Sequence, residues 1–223
     1  MEFKRITLLC GHYGSGKTNV AINLAYLLKK ERERVAIADL DIVNPYFRTK
    51  DSAKELSEKG IELIVSEYAG SNVDIPALPQ QMYSITDDKS LNAVIDVGGD
   101  DRGALALGRL SDAIKAENDY EMVLVINCFR PLTPDAASTA QVMKEIETAS
   151  KIPFTAIINN SNIGPETTKE DVKSSLAYAK EISEITGLPI LFTTVKEGLY
   201  EELKGEIDNL LPLTLQSKIN DFT

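Results

Sequence analysis

The sequence predicts a doubly wound α/β fold, a mostly parallel sheet flanked by helices. Two observations predict it. Short runs rich in Val and Ile recur along the chain without strict alternation, as expected of strands covered on both faces. Longer segments with apolar residues at helical spacing lie between them, and this β-α-β-α rhythm implies parallel strands with helices on both sides. The 223 residues contain no linker, repeat or low-complexity stretch, so the expectation is a single domain over 1–223.

The strand runs are 6–10, 35–38, 61–65, 93–95, 123–126, 154–158 and 189–192. The first helix shows one apolar face through Val20, Leu24, Leu27 and Leu28. Thr133-Pro134 reads as an N-cap followed by Pro at the first helical position. Thr168 with Asp171 resembles a capping box. Val172, Leu176, Ala179, Ile182 and Ile185 follow at helical spacing, and Gly187 and Pro189 stop that helix. A last helix is expected through Leu199, Leu203, Ile207 and Leu210, with Pro212 just beyond. The longest irregular segment, 66–79, has the length of a functional loop.

Composition excludes several classes. A net charge of -10 repels phosphate backbones and anionic lipid, so neither nucleic acid nor a membrane surface is an expected partner. The C-terminal acids Glu201, Glu202, Glu206 and Asp208 point the same way, because a membrane-anchoring helix needs a basic face. No run approaches the ~20 apolar residues of a membrane span or the form of a signal peptide, which points to a cytoplasmic protein. One histidine and two cysteines, Cys10 and Cys128, offer no zinc or iron–sulfur spacing.

The strongest motif is Gly11-x-x-x-x-Gly16-Lys17-Thr18, which follows a strand run and opens a helix, the context a P-loop needs. Gly11, Gly14 and Gly16 let the backbone curl around an anion with its N–H groups inward, and the helix N-terminus adds partial positive charge. Lys17 can reach β- and γ-phosphates, and the Thr18 hydroxyl can ligate Mg²⁺. The expected nucleotide contacts are Gly11, His12, Tyr13, Gly14, Ser15, Gly16, Lys17, Thr18 and Asn19. Asp96 ends a strand run before Gly98-Gly99, where a carboxylate can hold the Mg²⁺ shell and the glycines let the loop approach the γ-phosphate. Asp39 and Asp41 close another strand and, two residues apart, point the same way; they could orient metal and water.

Together Gly11–Thr18, Asp39-x-Asp41, Asp96-Val97-Gly98-Gly99 and the helix text Asn19-Val20-Ala21-Ile22-Asn23-Leu24-Ala25 resemble the MinD/ParA class of P-loop ATPases, part of the broader CobQ/CobB/MinD/ParA group. The resemblance implies ATP and Mg²⁺ as ligands, Lys17 and Asp41 as catalytic residues, and Thr18, Asp39 and Asp96 around the metal. It also implies an ATP-bound homodimer facing across the phosphates, which would act on a further protein partner. One departure stands out. The family pattern K-G-G-x-G-K-T places a lysine where this chain has His12 and a glycine where it has Tyr13. His12 is then either a phosphate contact or a spectator.

Guanine-binding relatives read the base with N-K-x-D, whereas this chain carries Asn159-Asn160-Ser161-Asn162, without an acid. That favours adenine. Asn159 or Asn160 could meet its edge, or the run could be an Asn-rich turn. The function expected is ATP hydrolysis coupled to a conformational or dimerisation switch. Two rivals remain: an ATP-dependent phosphotransferase or ligase of cofactor biosynthesis, and an adaptor that binds ATP without cleaving it.

Overall fold

The computed structural model describes residues 3–40, 50–65, 80–99 and 101–215. The strands are β1 (Ile6–Cys10), β2 (Val35–Leu40), β3 (Ile61–Val65), β4 (Asn92–Val97), β5 (Tyr120–Ile126), β6 (Ala156–Asn159), β7 (Ile190–Lys196) and β8 (Leu210–Leu213). The helices are α1 (Lys17–Glu31), α2 (Lys50–Glu58), α3 (Gln80–Asp87), α4 (Asp101–Leu107), α5 (Ser111–Glu117), α6 (Ala136–Ser150), α7 (Lys169–Thr186) and α8 (Glu197–Leu203). The strands form one sheet in the order β3-β2-β4-β1-β5-β6-β7-β8, every pairing parallel. The expected doubly wound α/β architecture is what the chain adopts.

Two cores form because successive strand residues face opposite sides. Ile6, Leu8, Cys10, Ala93, Ile95 and Val97 face one layer with Leu107, Ile114, Met143, Ala179 and Ile182 of the helices. Leu9, Val35, Ile37, Val94, Val123 and Val125 face the other, packed on Val20, Ala21, Leu24 and Leu28 of α1. Full burial of each such Leu or Val side chain is worth about 1.5–3 kcal/mol. The same alternation puts Asp39 and Asp96, in phase with Ile37 and Val94, on the α1 side of the sheet.

The end of the sheet opposite the strand tips is held by Arg5. Its guanidinium donates to the carbonyls of Leu91 (2.6 Å) and Ile85 (2.9 Å) and pairs with Glu117. That pairing holds the Glu117 carboxyl below its ordinary range, against the upward push of burial.

Two expected boundaries are corrected. The C-terminal helix stops at Leu203, and Leu210 belongs to strand β8, which also contains Pro212. A proline fits there because β8 is the edge of the sheet, where one side of the strand needs no N–H donor. Helix α6 starts at Ala136, two residues past the expected Pro134. Its N-cap is Asp135, which accepts from Ser138 N, rather than Thr133. The Thr168/Asp171 capping box and the left-handed Gly187 stop of α7 are formed as expected. Segment 66–79 and Asp41 lie outside the described residues. No described helix is long and apolar enough to cross a membrane.

Candidate functional site

The loop after β1 and the tips of β2, β4, β5 and β6 meet at one edge of the sheet, where β1 lies between β4 and β5 and chain order reverses. Ligands of open α/β sheets bind at such a point, beyond the carboxyl ends of the strands.

The loop's backbone explains its glycines. Gly14 and Gly16 take φ of 79° and 86°, and Gly11 takes 149°. A side chain on Gly11 would overlap the Val125 carbonyl, and one on Gly16 would overlap the Asn160 amide. Gly16 is the left-handed N-cap of α1, and no side chain caps the helix. The first turn of α1 holds no acid, while Lys29 and Lys30 sit in its last turn. The N-terminus therefore keeps both its unpaired N–H groups and its positive potential for an anion.

Lys17 is buried, and its Nζ donates to the carbonyls of Gly11 (3.1 Å) and His12 (3.2 Å) across the loop. The Thr18 hydroxyl donates to Asp96 Oδ2 at 2.6 Å. Asp39 and Asp96 are register partners on neighbouring strands, with exposures of 6% and 1%. Two enclosed carboxylates and a hydroxyl, all oxygen donors beside an anion-binding loop, suit a hard divalent cation such as Mg²⁺. Gly99 follows closely: a Cβ there would lie 2.6 Å from Tyr13 N, so the Asp96 loop runs against the phosphate loop. Beneath the loop, burial pushes the Cys10 thiol up to about 12; Lys17 opposes the shift and Asp96 adds to it, so Cys10 is a neutral thiol.

His12 is half-buried, with Nδ1 3.0 Å from the Tyr13 carbonyl, and Tyr13 is 60% exposed. Ser15 is buried and its hydroxyl has no hydrogen-bond partner. Asn19 is half-buried in the first turn of α1, and its carbonyl accepts from Asn23 Nδ2 at 2.8 Å.

Asn159 and Asn160 are both buried, and both amides are engaged inside the protein. Asn159 donates to Ser175 Oγ (2.9 Å) and accepts from Ser161 N (3.2 Å). Asn160 donates to the Ser15 carbonyl (2.7 Å) and accepts from Thr194 Oγ1 (2.5 Å), bracing the phosphate loop. Beyond them a small cleft is lined by Ser161, Asn162, Gly164, Thr167 and Lys196, among others, with no carboxylate among the described lining residues.

Sequence reasoning passed over the loop after β5. Asn127 Nδ2 donates to the Asn162 carbonyl (3.0 Å), Cys128 N donates to Ser161 Oγ (3.1 Å), and Tyr178 OH donates to the Thr133 carbonyl (3.0 Å). This fastened loop places Arg130 beside the phosphate loop, where a Cβ built on Gly14 would lie 3.5 Å from its Cδ and Nε. No motif marks Arg130; only the fold brings it to the phosphate loop.

A left-handed glycine loop opening a helix, with a lysine folded across it and a Thr–Asp pair beside it, defines a P-loop nucleotide-binding protein. The chain belongs to the CobQ/CobB/MinD/ParA nucleotide-binding domain family, whose model matches residues 6–191. No curated protein matches. Among solved structures, chloroplast FtsY from Physcomitrella patens is similar at TM-score 0.59 and 19% identity, covering 96% of this chain and 63% of that one. FlhF complexed with GTP and Mg²⁺ is similar at TM-score 0.53 and 16% identity, covering 86% and 66%. The signal recognition particle 54 kDa protein of Aeropyrum pernix K1, complexed with GDP, gives TM-score 0.52 and 19% identity, covering 86% and 41%. The chain thus spans about 60% of the length of the FtsY structures it resembles. At these identities the likeness is one of fold.

Proposed function

We propose that this protein binds ATP with Mg²⁺ on the loop from Gly11 to Thr18 and hydrolyses it, switching conformation or pairing with a second copy of itself between the two states. The observation that carries this reading is the 2.6 Å hydrogen bond from Thr18 to Asp96 at the uncapped N-terminus of α1. It sets a metal-binding hydroxyl beside a strand-tip carboxylate, as a nucleotide-bound Mg²⁺ needs. When bound, Mg²⁺ neutralises charge developing on the β- and γ-oxygens. The Thr18 hydroxyl would hold it directly, and Asp96 and Asp39 would do so through water. Lys17, turned from the Gly11 and His12 carbonyls, would meet the β- and γ-phosphates. The loop's N–H groups and the α1 terminus would stabilise the same charge, so catalysis rests on positioning and electrostatics. Asp41 would orient the attacking water, the role its place in Asp39-x-Asp41 implies.

Adenine is favoured over guanine by the run Asn159-Asn160-Ser161-Asn162 at the tip of β6, which lacks the acid of N-K-x-D. Guanine presents N–H donors that call for a carboxylate, and that run offers only amides and a hydroxyl. In this respect the chain departs from FlhF and the 54 kDa protein, whose structures hold guanine nucleotides. Asn159 and Asn160 then support the site from within instead of reading the base. Nucleic acid and anionic membranes stay outside the proposed partners because of the net charge of -10.

Steady-state phosphate release from ATP, with and without Mg²⁺, tests the reading in wild type and Asp41→Asn. Mg²⁺-dependent turnover that Asp41→Asn slows without weakening ATP binding supports it. Turnover that appears only when a small-molecule acceptor is added would make the protein a phosphotransferase and overturn it.

A further inference from the structure

We propose that Arg130 supplies, from within the same chain, a second cation to the nucleotide's phosphate chain, beside Lys17. The inference rests on the nucleotide-binding reading above and adds a residue to it.

Three observations carry it. First, a Cβ built on Gly14 would lie 3.5 Å from both Cδ and Nε of Arg130 and 3.8 Å from its Cζ, so the guanidinium lies against the phosphate loop itself. Second, Arg130 Nε is enclosed and has no hydrogen-bond partner, and no ion pair of Arg130 occurs among the described residues. An enclosed donor without an acceptor destabilises the fold, and the same donor becomes favourable when an anion arrives. In a chain with ten more acids than bases, an arginine left without a carboxylate is conspicuous.

Third, Arg130 is held in place. Its N donates to the Asn127 carbonyl (3.3 Å), and its carbonyl accepts from Thr133 N (3.2 Å). Asn127 Oδ1 accepts from Phe129 N (3.0 Å) and Asn162 N (3.3 Å), tying this turn to the tip of β6. The backbone that carries Arg130 is therefore ordered before any ligand binds, so only the side chain remains to be ordered.

The other cationic candidates on the loop are committed differently. Lys17 Nζ bridges the Gly11 and His12 carbonyls, and the His12 ring sits on the Tyr13 carbonyl. Arg130 is thus the side chain beside Gly14 with donor capacity to spare. Its planar fork suits phosphate oxygens, which accept two parallel N–H bonds. No proton moves and no bond breaks in this role; the guanidinium remains charged throughout.

Calorimetric titration of wild type, Arg130→Gln and Arg130→Lys with ATP and with AMP, all with Mg²⁺, tests the assignment. Arg130→Gln should weaken ATP on the order of 10- to 100-fold, the span of a charge-assisted hydrogen bond, and AMP much less. Arg130→Lys should fall between, because it keeps the charge and loses the fork. The nucleotide-free melting temperature of Arg130→Gln should not fall. Equal ATP affinity in wild type and Arg130→Gln overturns the inference. Equal losses for ATP and AMP also overturn it, because Arg130 would then merely pack the loop. If wild type itself fails to bind ATP, the nucleotide-binding reading falls, and this inference with it.

Discussion

Replacing Gly16 by alanine isolates the physics of the phosphate loop. Gly16 has φ of 86°, a left-handed conformation that disfavours an L side chain by about 1–2 kcal/mol. A Cβ there would also overlap Asn160 Nδ2, which donates 2.7 Å to the Ser15 carbonyl. Displacing that amide leaves a buried carbonyl without its donor, adding about 1–3 kcal/mol. The sum is roughly 2–5 kcal/mol, or a fall in melting temperature of about 4–20 °C for a chain this size. Gly187→Ala is the control. It has φ of 73° and nothing within 4 Å of a new Cβ, so only the conformational part applies. Thermal unfolding of Gly16→Ala, Asn160→Ala and the double variant completes the cycle. Removing the Asn160 amide relieves the overlap, so the double variant should be less destabilised than the sum of the singles, by about 1 kcal/mol or more. Equal effects of Gly16→Ala and Gly187→Ala, or strict additivity in the cycle, would refute the assignment of Asn160 as the brace of the loop.

Two further predictions follow from the same geometry. Lys17→Ala should abolish detectable ATP binding while leaving a cooperative unfolding transition; a folded variant with wild-type affinity, read by calorimetry, would sink the role given to Lys17. Glu117 bears on acid stability. Its carboxyl is lowered below its ordinary value of 4.5, first by the hydrogen bond from Arg5, with exposures of 7% and 12% for the pair. The folded state therefore binds this proton less readily than the unfolded chain. The contribution is fully present above 4.5 and is lost as pH falls from there through the lower folded value. Denaturant unfolding against pH should show this loss in wild type and a flatter profile in Glu117→Gln, and parallel profiles would contradict it.

What the sequence made legible and what it hid have separable physical reasons. The phosphate loop was readable because a side chain would overlap its neighbours at Gly11 and Gly16 and be strained by the left-handed backbone at Gly14, and because Lys17 and Thr18 follow at fixed spacing. Asp39 and Asp96 were readable as acids ending apolar strand runs, but their pairing in register needed the strand order. Strand β8 was hidden because Leu210 continues the helical spacing of Leu199, Leu203 and Ile207, and Pro212 argues against a strand unless that strand is known to be an edge. Asp135 displaced Thr133 as a cap because both residues can accept a backbone N–H, and spacing alone does not choose between them. Asn159 and Asn160 showed their chemistry but not their direction, since an amide can meet a base or a buried Ser15 carbonyl equally well. Arg130 left no local trace, because its partner Gly14 is more than a hundred residues away.

The central claim, that the loop from Gly11 to Thr18 with Thr18, Asp39 and Asp96 forms an ATP·Mg²⁺ site, is tested most directly by calorimetric titration of the intact protein. ATP and GTP would each be titrated with Mg²⁺, and again after its removal by chelation. The account predicts saturable binding of one ATP per chain, weakened without Mg²⁺ and weaker for GTP. Tighter binding of GTP would contradict the preference for adenine. Failure of both nucleotides to bind, with the protein folded, would contradict the account as a whole.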